Sequence, residues 1–286
     1  MSSLAKCLFI GTGTSEGIPI LSCLFGDCKV CKDAMIPGSK NRRRNISVAI
    51  SYKNTNIIID CGKLWWDSAL EVLPKNNIRD IDAFVISHEH ADAIGGVDNL
   101  RDVTKRIIKR ELPIYANAKT QTVMTNSFPY IFKQKDNVLN GGVPDLFFKT
   151  IENEVPFTIK DITLHPFFVP HGGCECTAFR IGKLCYISDV SSINDTCLKY
   201  INNSDILILD CIYPKNKVHP SHVSMSQLEG FFLNHCHVEQ PPKQVYLVGM
   251  THMADHNEFN QQLQDMGFHN VECAYDGQIF DFSMDE

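Results

Sequence analysis

The chain has 286 residues, 44% of them hydrophobic, and a formal net charge of −6. That is apolar material enough for a sizeable core in one large domain or two small ones, and the negative balance gives no strong nucleic-acid signal. No run of about 18 apolar residues is present to span a membrane, and Met1 to Lys6 lack the apolar core of a secretory signal. A soluble, cytoplasmic protein is expected, with its 12 cysteines mostly reduced.

Residues 7–10 read as a strand running into Gly11-Thr12-Gly13-Thr14-Ser15-Glu16-Gly17. The glycine spacing is wrong for a dinucleotide fingerprint, and no helical pattern follows. Cys23, Cys28 and Cys31 come next, the last two in a C-x-x-C knuckle that places two thiolates on one metal, with Cys23 as a third. The alternative is a reduced loop without metal. Arg42-Arg43-Arg44 is either a solvated loop or a receptor for phosphate. Residues 46–51 and 56–60 alternate as a hairpin, and residues 64–73 have helical spacing stopped by Pro74. Strand 81–86 leads to Ser87-His88-Glu89-His90-Ala91-Asp92-Ala93. A helix follows over roughly 97–110, then strand 113–116, helix 117–127, and a loop or short hairpin over 128–150. Strands near 156–159 and 162–169 lead to His171; Cys174 and Cys176 read as alternating strand residues. Strands 177–181 and 184–188 lead to Asp189, and strand 206–210 ends at Asp210. A helix over 224–235, strand 244–249 leading to His252, a helix over 257–266 and strands near 271–274 and 278–282 close the chain.

Strands and helices interleave without a fixed repeat, and no Pro-, Gly- or Ser-rich linker divides them, so a layered α/β sandwich is expected. His88, His90, Asp92, His171, Asp189 and His252 all fall at or just past strand ends, where backbone leaves the sheet and side chains from distant segments converge. Two neutral imidazoles and a carboxylate at every second position are a ligand set that borderline divalent cations take.

The H-x-H-x-D pattern at His88, His90 and Asp92, followed in order by His171, Asp189 and His252, resembles the metallo-β-lactamase superfamily. The resemblance implies a four-layered αββα sandwich forming a single domain over residues 1–286. The usual motif ends H-x-H-x-D-H, and this chain departs from it: Ala93 stands where the family has a histidine of the second metal site. Gly11 to Pro19, Asn41 to Ser47 and Gly95 to Arg101 are similar to the phosphoribosyl cyclic phosphate phosphodiesterase branch, with ribonuclease Z a more distant cousin. That resemblance implies hydrolysis of a small cyclic phosphate or nucleotide-like phosphodiester by a metal-held hydroxide. It implies one or two ions, Zn²⁺ or Mn²⁺, held by His88, His90, Asp92, His171, Asp189 and His252. Asp92 would also orient or deprotonate the nucleophile. His222 would contact the phosphate or protonate the leaving oxygen. A structural zinc on Cys23, Cys28, Cys31 and His256 is implied as well. The rival readings are a binding protein with an incomplete second metal site and a tRNA 3′-processing endonuclease-like nuclease. A homodimer is compatible with such a chain.

Overall fold

The computed structural model describes residues 3–133, 142–214, 217–233 and 238–285. Its strands form two mixed sheets. The first holds β1 (Leu4–Gly11), β2 (Ser47–Tyr52), β3 (Thr55–Ile59), β4 (Ala83–Val85), β5 (Leu112–Ala116) and β6 (Leu146–Thr150), side by side in that order. The second holds β7 (Phe157–Ile159), β8 (Ile162–His171), β9 (Cys174–Ile181), β10 (Leu184–Ile187), β11 (Ile206–Asp210), β12 (Gln244–Val248) and β13 (Val271–Cys273), again in order. The last strand, β14 (Ile279–Ser283), returns to the first sheet and pairs antiparallel with the open edge of β1. Both sheets begin as antiparallel hairpins and become parallel where helices cross over, at β3–β4 in the first and β10–β11 in the second.

Three apolar layers follow from this order. Phe9, Val48, Ile57 and Val85 of the first sheet meet Phe179, Tyr186, Ile208 and Val248 of the second between the sheets. Trp65, Ala69 and Val72 of helix Trp65–Lys75 cover Leu8, Ile58 and Phe84 on the outside of the first. Phe259 and Leu263 of helix His256–Asp265 cover Leu207 and Leu247 on the outside of the second. The central strands are therefore buried on both faces, which is why Ile57-Ile58-Ile59 and Ile206 to Leu209 read as unbroken apolar runs. The helix–sheet–sheet–helix sandwich expected from the sequence is the architecture found.

Local departures have local causes. Helix Trp65–Lys75 continues through Pro74, which sits in its final turn, where a break in the hydrogen-bond ladder costs least. The helix expected over 97–110 is a 3₁₀ turn (Val97–Asn99), an α turn (Leu100–Asp102) and a π turn (Val103–Ile107). The loop expected over 128–150 contains a short helix, Pro129–Phe132, and β6; residues 134–141 of it lie outside the described residues. The helix expected over 224–235 is described as Met225–Leu233, its last two positions lying outside the described residues. Among the described residues no helix is long and apolar enough to cross a membrane.

Candidate functional site

The segment after β4 is strapped in place by the backbone before it. Asp60, at φ +65 just past β3, accepts the Ser87 N–H at 2.8 Å. The Cys61 N–H donates to Ala93 O (2.7 Å) and the Gly96 N–H to Cys61 O (2.8 Å). Gly62 lies so close that a Cβ there would stand 1.9 Å from Asp92 O. The loop that carries His88, His90 and Asp92 is thus held by main-chain bonds on one side and by close packing on the other.

These residues meet His171, the last residue of β8. The His88 ring lies 4.7 Å from that of His90 and 5.1 Å from that of His171, centre to centre. One nitrogen of each falls within 4.8 Å of the other two, and His171 Nε2 is 3.3 Å from His90 Nδ1. Both His171 and His88 are held from behind. His171 Nδ1 donates to Ser221 O (2.8 Å), which leaves its Nε2 with a lone pair. His88 Nδ1 lies 2.9 Å from Ser87 Oγ, and its Nε2 is buried with no hydrogen-bond partner. Burial pulls the His88 imidazole below the ordinary range, against the opposing charges of Asp189 and Asp92. Asp92 Oδ1 is likewise buried and unpartnered, 3.7 Å from His88 Nε2. Asp189, just after β10, offers an oxygen within 4.8 Å of donors on His88 and Cys176, and of donors on His171 and His222. Burial opposes its ionisation, but the imidazoles of His88, His222 and His171 outweigh this and hold its carboxyl below the usual range. Three imidazoles and a carboxylate, with the His88 Nε2 and Asp92 Oδ1 atoms buried and unclaimed, fit a divalent cation.

His222 stands beside this group with a partner that the sequence reading did not assign. Its Nδ1 lies 2.8 Å from Asp210 Oδ2 and 3.7 Å from Asp189 Oδ1. Asp210, fully buried at the end of β11, also accepts the Val190 N–H at 3.1 Å. Burial pushes the Asp210 carboxyl up to about 6 even with His222 opposing. His222 is raised to about 9: burial works against its charge, and Asp210 followed by Asp189 overcomes it. The signal available in the sequence was position alone, since Asp210 ends a strand as Asp60 and Asp189 do. At the rim, Glu89 Oε1 pairs with Lys119 Nζ at 2.6 Å.

The two C-terminal histidines stand elsewhere than expected. His252 is not among the active-site donors; its Nδ1 lies 3.4 Å from both Cys23 Sγ and Cys28 Sγ. With Cys31 these make a four-donor group within 4.8 Å. Burial resists the Cys28 thiolate, yet bonding to His252 and to Cys31 brings that thiol down to about 7. Burial and the neighbouring Cys28 push Cys31 up to about 12. Crowded thiols that cannot all ionise together become a stable thiolate set only around a cation, and Cys₃His is a zinc donor set. His256, the expected fourth ligand, is buried away from the cysteines, with Nδ1 3.1 Å from Arg43 Nη2 and Nε2 3.2 Å from Asn260 Nδ2. The physical reason is Arg43. Its fully buried guanidinium bonds Thr12 Oγ1 (3.1 Å) and Ala274 O and needs a further acceptor, which His256 provides. The basic run is therefore largely internal: Arg44 is held by Asp67 (2.9 Å), Glu71 (2.8 Å) and Asp276 (3.4 Å), and only Arg42 reaches the surface, paired with Asp67.

Comparisons with known proteins find chains and structures similar to this one. A crystal structure of a diphosphatase from the PhnP family superposes with a TM-score of 0.82 at 28% identity, covering 99% of each chain. The octanoyltransferase of Porphyromonas gingivalis is 27% identical over 222 residues, 78% of this chain and 42% of its own length. The exodeoxyribonuclease YycJ of Bacillus anthracis is 27% identical over 139 residues, 47% of this chain and 46% of its own length. The chain thus spans less than half the length of these curated relatives. Residues 55–250, from β3 through the donors of the histidine group to the end of β12, match the beta-lactamase superfamily domain, and the chain belongs to that superfamily.

Proposed function

We propose that residues 1–286 act as one metal-dependent hydrolase of small phosphodiesters or cyclic phosphates, with Zn²⁺ or Mn²⁺ on His88, His90, His171 and Asp189. The observation that carries this is the cluster of imidazole nitrogens on His88, His90 and His171, with Asp189 close to donors on His88 and on His171 and with His88 Nε2 buried and unpartnered. A cation bound there supplies a Lewis acid that polarises a phosphoryl oxygen and makes a nearby water acidic. The protein's own groups do the rest. Ser221 O holds His171 in the tautomer whose Nε2 lone pair is free, and Ser87 Oγ orients the His88 ring through Nδ1. Asp92 has a carboxylate oxygen with no other claim on it; it orients the attacking water and accepts its proton. His222, bound through Nδ1 to Asp210, carries its transferable proton on Nε2 and delivers it to the leaving oxygen. Cys23, Cys28, Cys31 and His252 hold a structural zinc that ties the N-terminal knuckle to the loop after β12. The likeness to a PhnP-family diphosphatase and to an exodeoxyribonuclease, both named for cleavage at phosphorus, supports this reading.

The test is hydrolysis by chelated and reconstituted protein of bis-p-nitrophenyl phosphate, sugar and nucleotide cyclic phosphates, and nucleoside diphosphate esters. Activity should vanish on chelation and return with the metal. His222→Ala should cost about 10²–10⁴-fold on substrates with a poor alkoxide leaving group. It should spare the nitrophenyl ester, whose leaving group needs no proton. Equal losses on both classes would remove the general-acid role from His222. A metal-loaded protein inert toward all of them would favour the binding-protein reading, to which Ala93 lends support.

A further inference from the structure

We propose that the histidine centre of this chain holds a single ion rather than a metal pair. This inference rests on the reading above that the centre binds metal. A second ion about 3.5–4 Å from the first needs donors of its own beyond the shared carboxylate. Zinc in a catalytic site normally has three protein ligands. The residues placed to supply them are committed elsewhere. Ala93 is 1% exposed and packs into the apolar layer beneath the helices of the first sheet. His252 has its Nδ1 between Cys23 and Cys28. His222 has its Nδ1 on Asp210 and its Nε2 assigned above to the proton for the leaving oxygen, and the donor group it joins, with His171 and Asp189, shares both other members with the first centre. Asp92 remains, and among the described residues no group of three or more mutually close donors includes it. A second ion would have Asp92 and a shared Asp189 oxygen, and water for the rest. That donor set does not fit, and no catalytic step is assigned to such an ion.

The loaded protein then carries two ions in all, one at each centre, and Asp92 is a group that works on water rather than a ligand. The experiment is metal counting by mass spectrometry after loading with excess Zn²⁺ and gel filtration. Two equivalents are expected for the wild type, one for His88→Ala, and one for the Cys28→Ser/Cys31→Ser variant. Two are expected for Asp92→Asn and for His222→Ala, which separates ligands from residues that only surround them. Cobalt-substituted wild type should give the electron paramagnetic resonance signal of isolated high-spin ions. That measurement keeps the proposal testable if the cysteine variant fails to fold. Three equivalents in the wild type, an exchange-coupled cobalt pair, or the loss of an ion in Asp92→Asn or His222→Ala would overturn the single-ion centre. One equivalent in the wild type, unchanged in His88→Ala, would instead overturn the metal reading of the centre itself.

Discussion

His256 offers the sharpest check on how the polar interior is arranged, because both its ring nitrogens face donors. Arg43 Nη2 lies 3.1 Å from Nδ1 and can only donate. Asn260 Nδ2 lies 3.2 Å from Nε2, and its amide is fixed in that sense because Asn260 Oδ1 accepts the Cys273 N–H at 2.8 Å. A neutral ring already has one lone pair for two donors; a second proton leaves none. Burial, then Arg43 and Lys40, depress the imidazole to about 4, with Asp255 opposing; Tyr275 packs edge-on against the ring at 5.7 Å and carries Lys40 on its own face at 4.2 Å. A base depressed in the folded state takes its proton first in the unfolded chain. Stability from this group is therefore whole above the unfolded value of about 6.5 and falls as pH drops toward about 4. Linkage gives a loss of about 2 kcal/mol between pH 7.5 and 5.0, approaching about 3 kcal/mol at pH 4. Asp276, which burial raises to about 6, works in the opposite sense over part of this range, and acid also weakens metal binding, but both are common to wild type and variant. The assay is urea unfolding of wild type and His256→Gln at saturating Zn²⁺, followed by tryptophan fluorescence at each pH. The wild type should lose about 2 kcal/mol more than the variant between pH 7.5 and 5.0, and His256→Gln should keep its full metal content. Parallel stability curves, or loss of an ion in the variant, would refute the arrangement.

Three further expectations concern the proposed catalytic centre. Ser87→Ala removes the oxygen 2.9 Å from His88 Nδ1 and with it the hydrogen bond that orients the ring; zinc affinity measured by competition should fall about 10–100-fold, and an unchanged constant would deny Ser87 this role. Asp210→Asn leaves the volume of the side chain but takes away the charge that holds His222 protonated. The rate on an alkoxide-leaving substrate should drop by about 10²–10⁴-fold with metal content intact, and a loss equal to that on a nitrophenyl ester would count against the pair. Gly62→Ala sets a Cβ 1.9 Å from Asp92 O, so the main chain must shift. A cost of about 1–3 kcal/mol in thermal unfolding and weaker metal binding are expected, and wild-type values for both would show that the strap does not position the loop.

Much of this protein is written in local pattern. Strands buried on both faces appear as apolar runs, a hairpin as alternation, and the donors of the histidine centre as polar residues where those runs stop. These features depend on neighbours along the chain, so the placing of His88, His90, Asp92, His171 and Asp189 at or just past strand ends was legible in the sequence. β6 was not, because a short edge strand buries little and its aromatic pair, Phe147-Phe148, has no periodicity of its own. What the tertiary structure alone decided is the division of labour among groups that look alike in sequence. His252 and His256 stand four residues apart, at the end of one loop and the start of one helix, and either could face the cysteines. The choice is made by Arg43, more than two hundred residues earlier, whose buried guanidinium claims His256 as an acceptor and leaves His252 to the thiols. Asp210 becomes the partner of His222 because the chain after β11 folds back on itself and against the segment after β10, the Ile212 N–H donating to Val223 O and the Val223 N–H to Val190 O. Periodicity reports which face of an element is buried. Which buried polar groups pair is fixed by desolvation, since each must find a partner inside, and that partner can lie anywhere in the chain.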